Sequence, residues 1–229
     1  MIVQIETATA SCSVALAKGG HVLAFKQVNE RNIHAEVITL FIDELIAGAG
    51  INYDNLDAIS VSCGPGSYTG LRIGVSTAKG LCFALDKPLI AIETLDAMAH
   101  GIISRGGYKL ESDTLLCPMI DARRMEVFTA VFTAGGEKIR HTAAEIMDEN
   151  NFSDLIKSNK MLFFGDGAEK CRAVLGENPN AIFFPGFINS AVDLTQKTVE
   201  KFRNKEFENV GYFEPYYLKD FIAGKKRGA

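Results

Sequence analysis

No run of about 18 apolar residues occurs in this chain, so a membrane-spanning helix is not expected. The first residues, Met1-Ile2-Val3-Gln4-Ile5-Glu6, carry no basic leader followed by a signal-length apolar run, and export is not expected either. The 5 cysteines include no Cys-x-x-Cys spacing. An odd count, with Cys82 and Cys117 inside apolar runs, reads as reduced thiols that fill cores, which points to a cytoplasmic protein. Basic residues are not in excess: 24 Lys and Arg stand against 28 Asp and Glu, a net charge of -4. That balance excludes a broad cationic face gripping nucleic acid unaided.

Several catalytic patterns are missing as well. There is no His-Glu-x-x-His, so His34 and Glu36 near a helix start do not make a metal site. His21, His100 and His141 are scattered over a strand, a helix and a loop. In Gly66-Ser67-Tyr68-Thr69-Gly70 the serine is misplaced for a Gly-x-Ser-x-Gly nucleophile elbow. Cys63, just before this loop, reads as a buried strand-end thiol rather than a reactive one. The loop Gly64-Pro65-Gly66 before a helix suggests phosphate binding, because a helix start offers free N–H groups. A P-loop needs a lysine after its last glycine, whereas Gly70 is followed by Leu71 and Arg72.

What is present is a repeated plan. Hydrophobic residues make up 47% of 229, enough for one large core or two small ones. Residues 2–6, 13–17 and 22–28 read as an antiparallel meander of strands. Asn32 then caps a helix over 33–47 whose apolar stripe is too wide for one face. A strand at 58–62 leads through the glycine loop to a helix over 71–84, capped by Ser67 or Thr69. A strand at 89–92 and a helix from 94 to about 102 close the unit. The polar, glycine-rich stretch 104–109 marks a boundary between domains 1–105 and 106–229.

Beyond the boundary, strands at 115–121, 125–132 and 137–139 make a second meander. Helical segments are expected near 143–147 and 152–157, then a strand at 161–164 and a helix opened by Gly165-Asp166-Gly167. A strand at 181–184 and a helix over 190–202 complete the repeat. The fold class is therefore α/β, two tandem βββαβαβα (ribonuclease H-like) units. Such paired units resemble the actin, sugar kinase and heat-shock chaperone superfamily, where acidic first turns and glycine loops surround a nucleotide. On that analogy Glu6, Asp121, Gly165 and Gly167 are nucleotide candidates, the carboxylates holding Mg²⁺ through water. The alternative is loop geometry inherited without binding.

Gly70 and Gly74, with Ala78 next along the row, leave one face of the helix over 71–84 almost bare. Either another helix approaches it or it sits on its own sheet. The surplus apolar surface of this helix and of the helix over 33–47 favours a partner. The expected docking residues are Val37, Phe41, Leu45, Leu71, Gly74, Val75 and Ala78. On this expectation Gly74→Leu blocks pairing and spares the fold.

The segment from Gly64 to Gly74, continued by Ala78-Lys79-Gly80-Leu81, resembles the TsaB (YeaZ) family of tRNA-modification proteins. So do Ile5-Glu6-Thr7-Ala8, His34-Ala35-Glu36, Ile120-Asp121-Ala122-Arg123, Gly165-Asp166-Gly167-Ala168 and Glu214-Pro215-Tyr216-Tyr217-Leu218. The resemblance implies a subunit that supports a TsaD-type transferase, which attaches threonylcarbamoyl to the adenosine beside the anticodon in tRNAs reading codons that begin with A. It implies a heterodimer that recruits a TsaE-type ATPase and reaches tRNA through the complex, with a homodimer when the transferase is absent. TsaD-type enzymes carry a metal-binding His-x-x-x-His whose positions fall on Thr94 and Met98 here. The resemblance thus implies no catalytic residue, metal or cofactor of this chain's own, with ATP and Mg²⁺ at the level of the complex. A metal- or nucleotide-dependent hydrolase of the same superfamily, peptidase-like, is the competing expectation. The basic tail Lys219, Lys225, Lys226 and Arg227 could touch tRNA phosphates or stay solvated.

Overall fold

Strand alternation sets Ile2, Gln4 and Glu6 on one face of β1 (Ile2–Glu6) and Val3 and Ile5 on the other, and all five are buried. Both faces of the first sheet must therefore be covered. In the computed structural model, which describes residues 1–30, 32–106 and 108–219, that sheet also holds β2 (Ser11–Lys18), β3 (His21–Asn29), β4 (Ala58–Gly64) and β5 (Leu89–Glu93). Its order is β3-β2-β1-β4-β5, the first three strands antiparallel and the last two parallel to β1. The second sheet repeats this order with β6 (Thr114–Asp121), β7 (Glu126–Phe132), β8 (Lys138–Ile146), β9 (Lys160–Phe164) and β10 (Ala181–Phe184), as β10-β9-β6-β7-β8.

Among the described residues five α-helices cover the sheets: α1 (His34–Gly48), α2 (Tyr68–Leu85), α3 (Thr94–Arg105), α4 (Ala168–Leu175) and α5 (Thr195–Asn204). Two tandem βββαβαβα units result, as the sequence pattern implies. The α1 stripe of Ile38, Ile42, Leu45 and Ile46 buries against Val3, Ile5, Val14 and Leu16 of the sheet. Each such fully buried side chain contributes about 1.5–3 kcal/mol. Ile33, not Asn32, stands at the N-cap of α1. Ser67 caps α2, accepting the Gly70 N–H at 3.3 Å.

Two expected helices take other forms. Residues 143–146 belong to β8, where Ala143 pairs with Thr129 and Ala144 with Phe128, so cross-strand pairing overrides the helix preference of the two alanines. Residues 149–158 form successive turns at the place that α1 holds in the first unit, with Phe152 and Ile156 buried in the second core. His141 accordingly lies on a strand rather than in a loop.

Packing crosses the division at residue 105. Leu95, Met98, Ala99 and Ile102 of α3 join Leu116, Ile120, Phe128 and Phe164 of the second sheet. In exchange, Leu194 and Phe202 pack on Ile2, Ala58, Ile90 and Ile92 of the first. Thr198 Oγ1 meets Ser60 Oγ at 2.8 Å, and Lys201 Nζ donates to Ala91 O at 2.9 Å. The last helix of each half therefore rests on the other half's sheet, and residues 190–204 pack with the first unit. No helix among the described residues is long and apolar enough to cross a membrane.

Candidate docking face and the two glycine loops

The first glycine loop is packed from both sides. Gly64, at φ +126°, has the backbone of Tyr216 where a side chain would go, and a Cβ on Gly66 would overlap Ala8. The Ser67 N–H donates to Ala8 O at 2.7 Å, and Tyr216 N–H to Cys63 O at 2.8 Å. Gly70 and Gly74 continue the same contact along α2, both facing Thr7, whose hydroxyl donates to Gly70 O at 2.8 Å. The bare helix face is thus filled by the end of β1. Burial pushes the Cys63 thiol up to about 12, so it is an inert strand-end group.

This geometry corrects the expected docking residues. Leu71, Val75 and Ala78 lie on the α2 row that enters the first core, and Leu45 lies on the inward row of α1. Gly74 is buried beneath them. Val37 and Phe41 are partly buried against the same core. The surface that remains outside is the opposite row, where Phe83 of α2 is 85% exposed and Leu40 of α1 is 55% exposed. Between the two helices runs a groove of about 260 Å³, lined by Thr39, Ile42, Tyr53, Ser76, Thr77 and Leu81 among others. Sequence reading missed Phe83 because Leu81-Cys82-Phe83-Ala84 is apolar throughout, and only the phase of the helix shows that Cys82 points in and Phe83 out.

The second glycine loop repeats the first. Gly165, at φ +105°, would place a Cβ 2.6 Å from Met98 Cε and closer still to Met119 O, and a Cβ on Gly167 would stand 2.9 Å from Ile120 C. Gly167 N–H donates to Met119 O at 3.1 Å. These glycines are needed for close approach to β6. Asp121 ends that strand exposed, paired with Lys170 and accepting the Arg123 N–H at 2.9 Å.

Glu6 has the opposite setting, only 1% exposed. Its Oε1 accepts the Ala8 N–H at 2.6 Å. Burial raises its pKa to about 7, helped by the negative charge of Asp193. Asp193 is itself buried and raised to about 6, with the Arg105 guanidinium forked onto both its oxygens. The segment carrying Asp193 lies over this face of the sheet: Ala191 N–H donates to Ser13 Oγ at 2.8 Å, and Gln27 Nε2 to Asn189 O at 3.1 Å. Glu6 and Asp121, matched in sequence, are one covered and one open.

Thr94 and Met98 are both buried, at the start of α3 and against Gly165. Among the described residues no group of three or more His, Cys, Asp or Glu is placed to hold a metal ion. His34 is a structural anchor, its Nε2 2.9 Å from Thr9 O at the end of the first hairpin. Lys219 pairs with Glu126, while Lys225, Lys226 and Arg227 lie outside the described residues.

The paired sheets and crossed helices define the class by fold: a two-unit α/β protein with a mixed five-stranded sheet in each unit. A representative of that architecture is the Clostridium difficile activator of 2-hydroxyisocaproyl-CoA dehydratase with bound ADPNP, which aligns at a TM-score of 0.51 and 8% identity over 91% of this chain and 98% of that one. Agreement is much tighter with YeaZ from Pseudomonas aeruginosa, at a TM-score of 0.78 and 24% identity over 95% of this chain and 99% of that one. In sequence, residues 28–207 match the family model "TsaD: tRNA N6-adenosine threonylcarbamoyltransferase". The Escherichia coli tRNA threonylcarbamoyladenosine biosynthesis protein TsaB is 29% identical over 231 residues, 98% of this chain and 97% of that protein. The chain belongs to the TsaD family of tRNA threonylcarbamoyladenosine biosynthesis proteins, in its TsaB (YeaZ) branch.

Proposed function

We propose that this protein is a non-catalytic subunit for tRNA threonylcarbamoylation, docking a TsaD-type transferase on the outer faces of α1 and α2. The observation that carries this reading is the groove between these helices, together with Leu40 of α1 and Phe83 of α2 left exposed on the outer rows of the same two helices. Single exposed apolar residues are ordinary, but one on each of two helices that share an apolar groove gives a surface suited to helix packing. The non-catalytic reading is supported by Thr94 and Met98, buried side chains that carry no imidazole. In this reading the heterodimer recruits a TsaE-type ATPase and meets tRNA as a complex, ATP and Mg²⁺ acting there. A second copy of this chain uses the same face when the transferase is absent.

Phe83→Glu tests it. Because Phe83 is almost fully exposed, the melting temperature should stay unchanged while the Kd for the transferase rises about thirtyfold, the effect of losing about 2 kcal/mol at an interface centre. Light scattering on the same variant should show the homodimer weakened in parallel. Unchanged affinity for the transferase would place the interface elsewhere. Reconstituted tRNA modification with and without this subunit, and with Phe83→Glu in its place, connects docking to function.

A further inference from the structure

A second groove lies on the other side of α2, opposite the apolar one, and Ser76 borders both. Its volume is about 460 Å³, and its walls are α2 and the extended chain that returns over the glycine loop. Arg72, Ser76 and Lys79 sit at helical spacing along one side of α2, while Phe213, Glu214 and Tyr217 form the facing wall. The rings of Tyr68 and Tyr217 stack at 4.8 Å and floor one end. The Arg72 guanidinium lies 5.5 Å over the Tyr68 ring, and its Nη1 is 3.4 Å from the Tyr68 hydroxyl.

Among the described residues, the positive charges of this groove have no matching carboxylate. Neither Arg72 nor Lys79 has a carboxylate within ion-pair reach among the described residues. Lys79 Nζ donates instead to backbone carbonyls, Phe213 O at 2.8 Å and Gly211 O at 3.4 Å, which accept its protons without neutralising its charge. Elsewhere, by contrast, Lys26, Lys138, Lys160, Lys170, Lys197 and Lys219 do have acidic partners. Glu214 contributes one negative charge, so the lining keeps a net positive charge of one in a molecule whose total is -4.

We infer that this groove receives an acidic segment of the docked transferase, whose carboxylates meet Arg72 and Lys79. The inference rests on the docking reading above and adds to it an electrostatic half. The apolar groove on one flank of α2 supplies burial, and the cationic groove on the other fixes register and speeds encounter. Arginine over a tyrosine face is already desolvated on one side and oriented, so its remaining N–H groups suit a two-pronged carboxylate contact.

The test measures the Kd of the transferase for Arg72→Glu and Arg72→Gln as a function of salt, with Lys157→Glu as a control for net charge at an exposed position of the second unit. Arg72 is exposed and makes no ion pair among the described residues, so both variants should fold with an unchanged melting temperature. Charge reversal should weaken binding about tenfold at low salt, neutralisation less, and Lys157→Glu negligibly. The difference should vanish near 1 M NaCl, where the screening length is about 3 Å. If Arg72→Glu binds like the wild type while Phe83→Glu does not, the acidic-segment inference fails and docking stands. An equal loss in Lys157→Glu also overturns it, as an effect of total charge. A wild-type protein that forms no complex overturns the docking reading itself.

Discussion

Gly70→Ala is expected to lower the melting temperature by roughly 2–12 °C, against the usual rule that alanine in a helix improves on glycine by about 1 kcal/mol. The reversal comes from one contact. A Cβ on Gly70 would stand 2.1 Å from the carbonyl oxygen of Thr7, and that oxygen is backbone at the end of a central strand, so it cannot rotate away. Helix α2 must lift from β1, opening the seam where Leu71, Val75, Ala78 and Cys82 are buried, at a cost of about 1–3 kcal/mol. Gly74→Ala should be milder. Its Cβ would meet Thr7 Oγ1, the tip of a side chain that can turn once it gives up its bond to Gly70 O. Gly74→Leu has no such escape and damages the fold before any partner is met, which reverses the expectation drawn from the sequence. Gly80→Ala supplies the contrast within the same helix: nothing lies within 4 Å of the added Cβ, so it should raise stability by about 0.5–1 kcal/mol. Thermal unfolding of the three alanine variants orders them. A Gly70→Ala protein as stable as Gly80→Ala would mean that the α2–β1 seam is not close-packed.

The sequence showed the small-residue row on α2 but not its occupant. Gly70, Gly74 and Ala78 announce close approach, and close approach to a partner helix looks the same in one dimension as close approach to Thr7. Only the turn before β2 decides, because it carries Thr7 and Ala8 back across the loop. The duplication was legible for a different reason: strand alternation and paired glycine loops recur at matching places, and local patterns survive without knowledge of long-range contacts. The exchange of last helices was not legible, since α3 and α5 carry apolar residues suited to either sheet. Ala143 and Ala144 misled through propensity, where pairing with Thr129 and Phe128 prevailed. Phe83 of the proposed docking face carries no local motif, and Arg72 sits within the Gly64–Gly74 segment without its position there pointing to docking; their roles come from the phase of α2 and from the chain that returns beside it.

Glu6→Gln is expected to stabilise the protein by about 3 kcal/mol at pH 8 and to change it little at pH 4. The carboxyl of Glu6 is raised to about 7 by burial, against an ordinary value of 4.5. Its folded form thus holds its proton more tightly than the unfolded chain does. Stability from this group is full below about 4.5 and is lost as pH rises through about 7, at about 1.4 kcal/mol for each tenfold displacement of the proton equilibrium. Glutamine keeps an oxygen to accept the Ala8 N–H and has no charge to desolvate. The wild-type curve alone is not diagnostic, because half-buried His100, lowered by desolvation, loses its contribution as pH falls and opposes the trend. Subtracting the wild-type free energy of unfolding from that of Glu6→Gln removes His100 and Asp193 to first order. The difference should climb between about pH 4.5 and 7 and level off above; a flat difference would mean that Glu6 stays ionised in the fold. Mg²⁺ provides the second axis. With the Asp193 segment lying over Glu6, added Mg²⁺ should leave both curves in place. A Mg²⁺-dependent gain in the wild type that Glu6→Gln abolishes would instead make this carboxylate a cation ligand and reopen the nucleotide reading at the first unit.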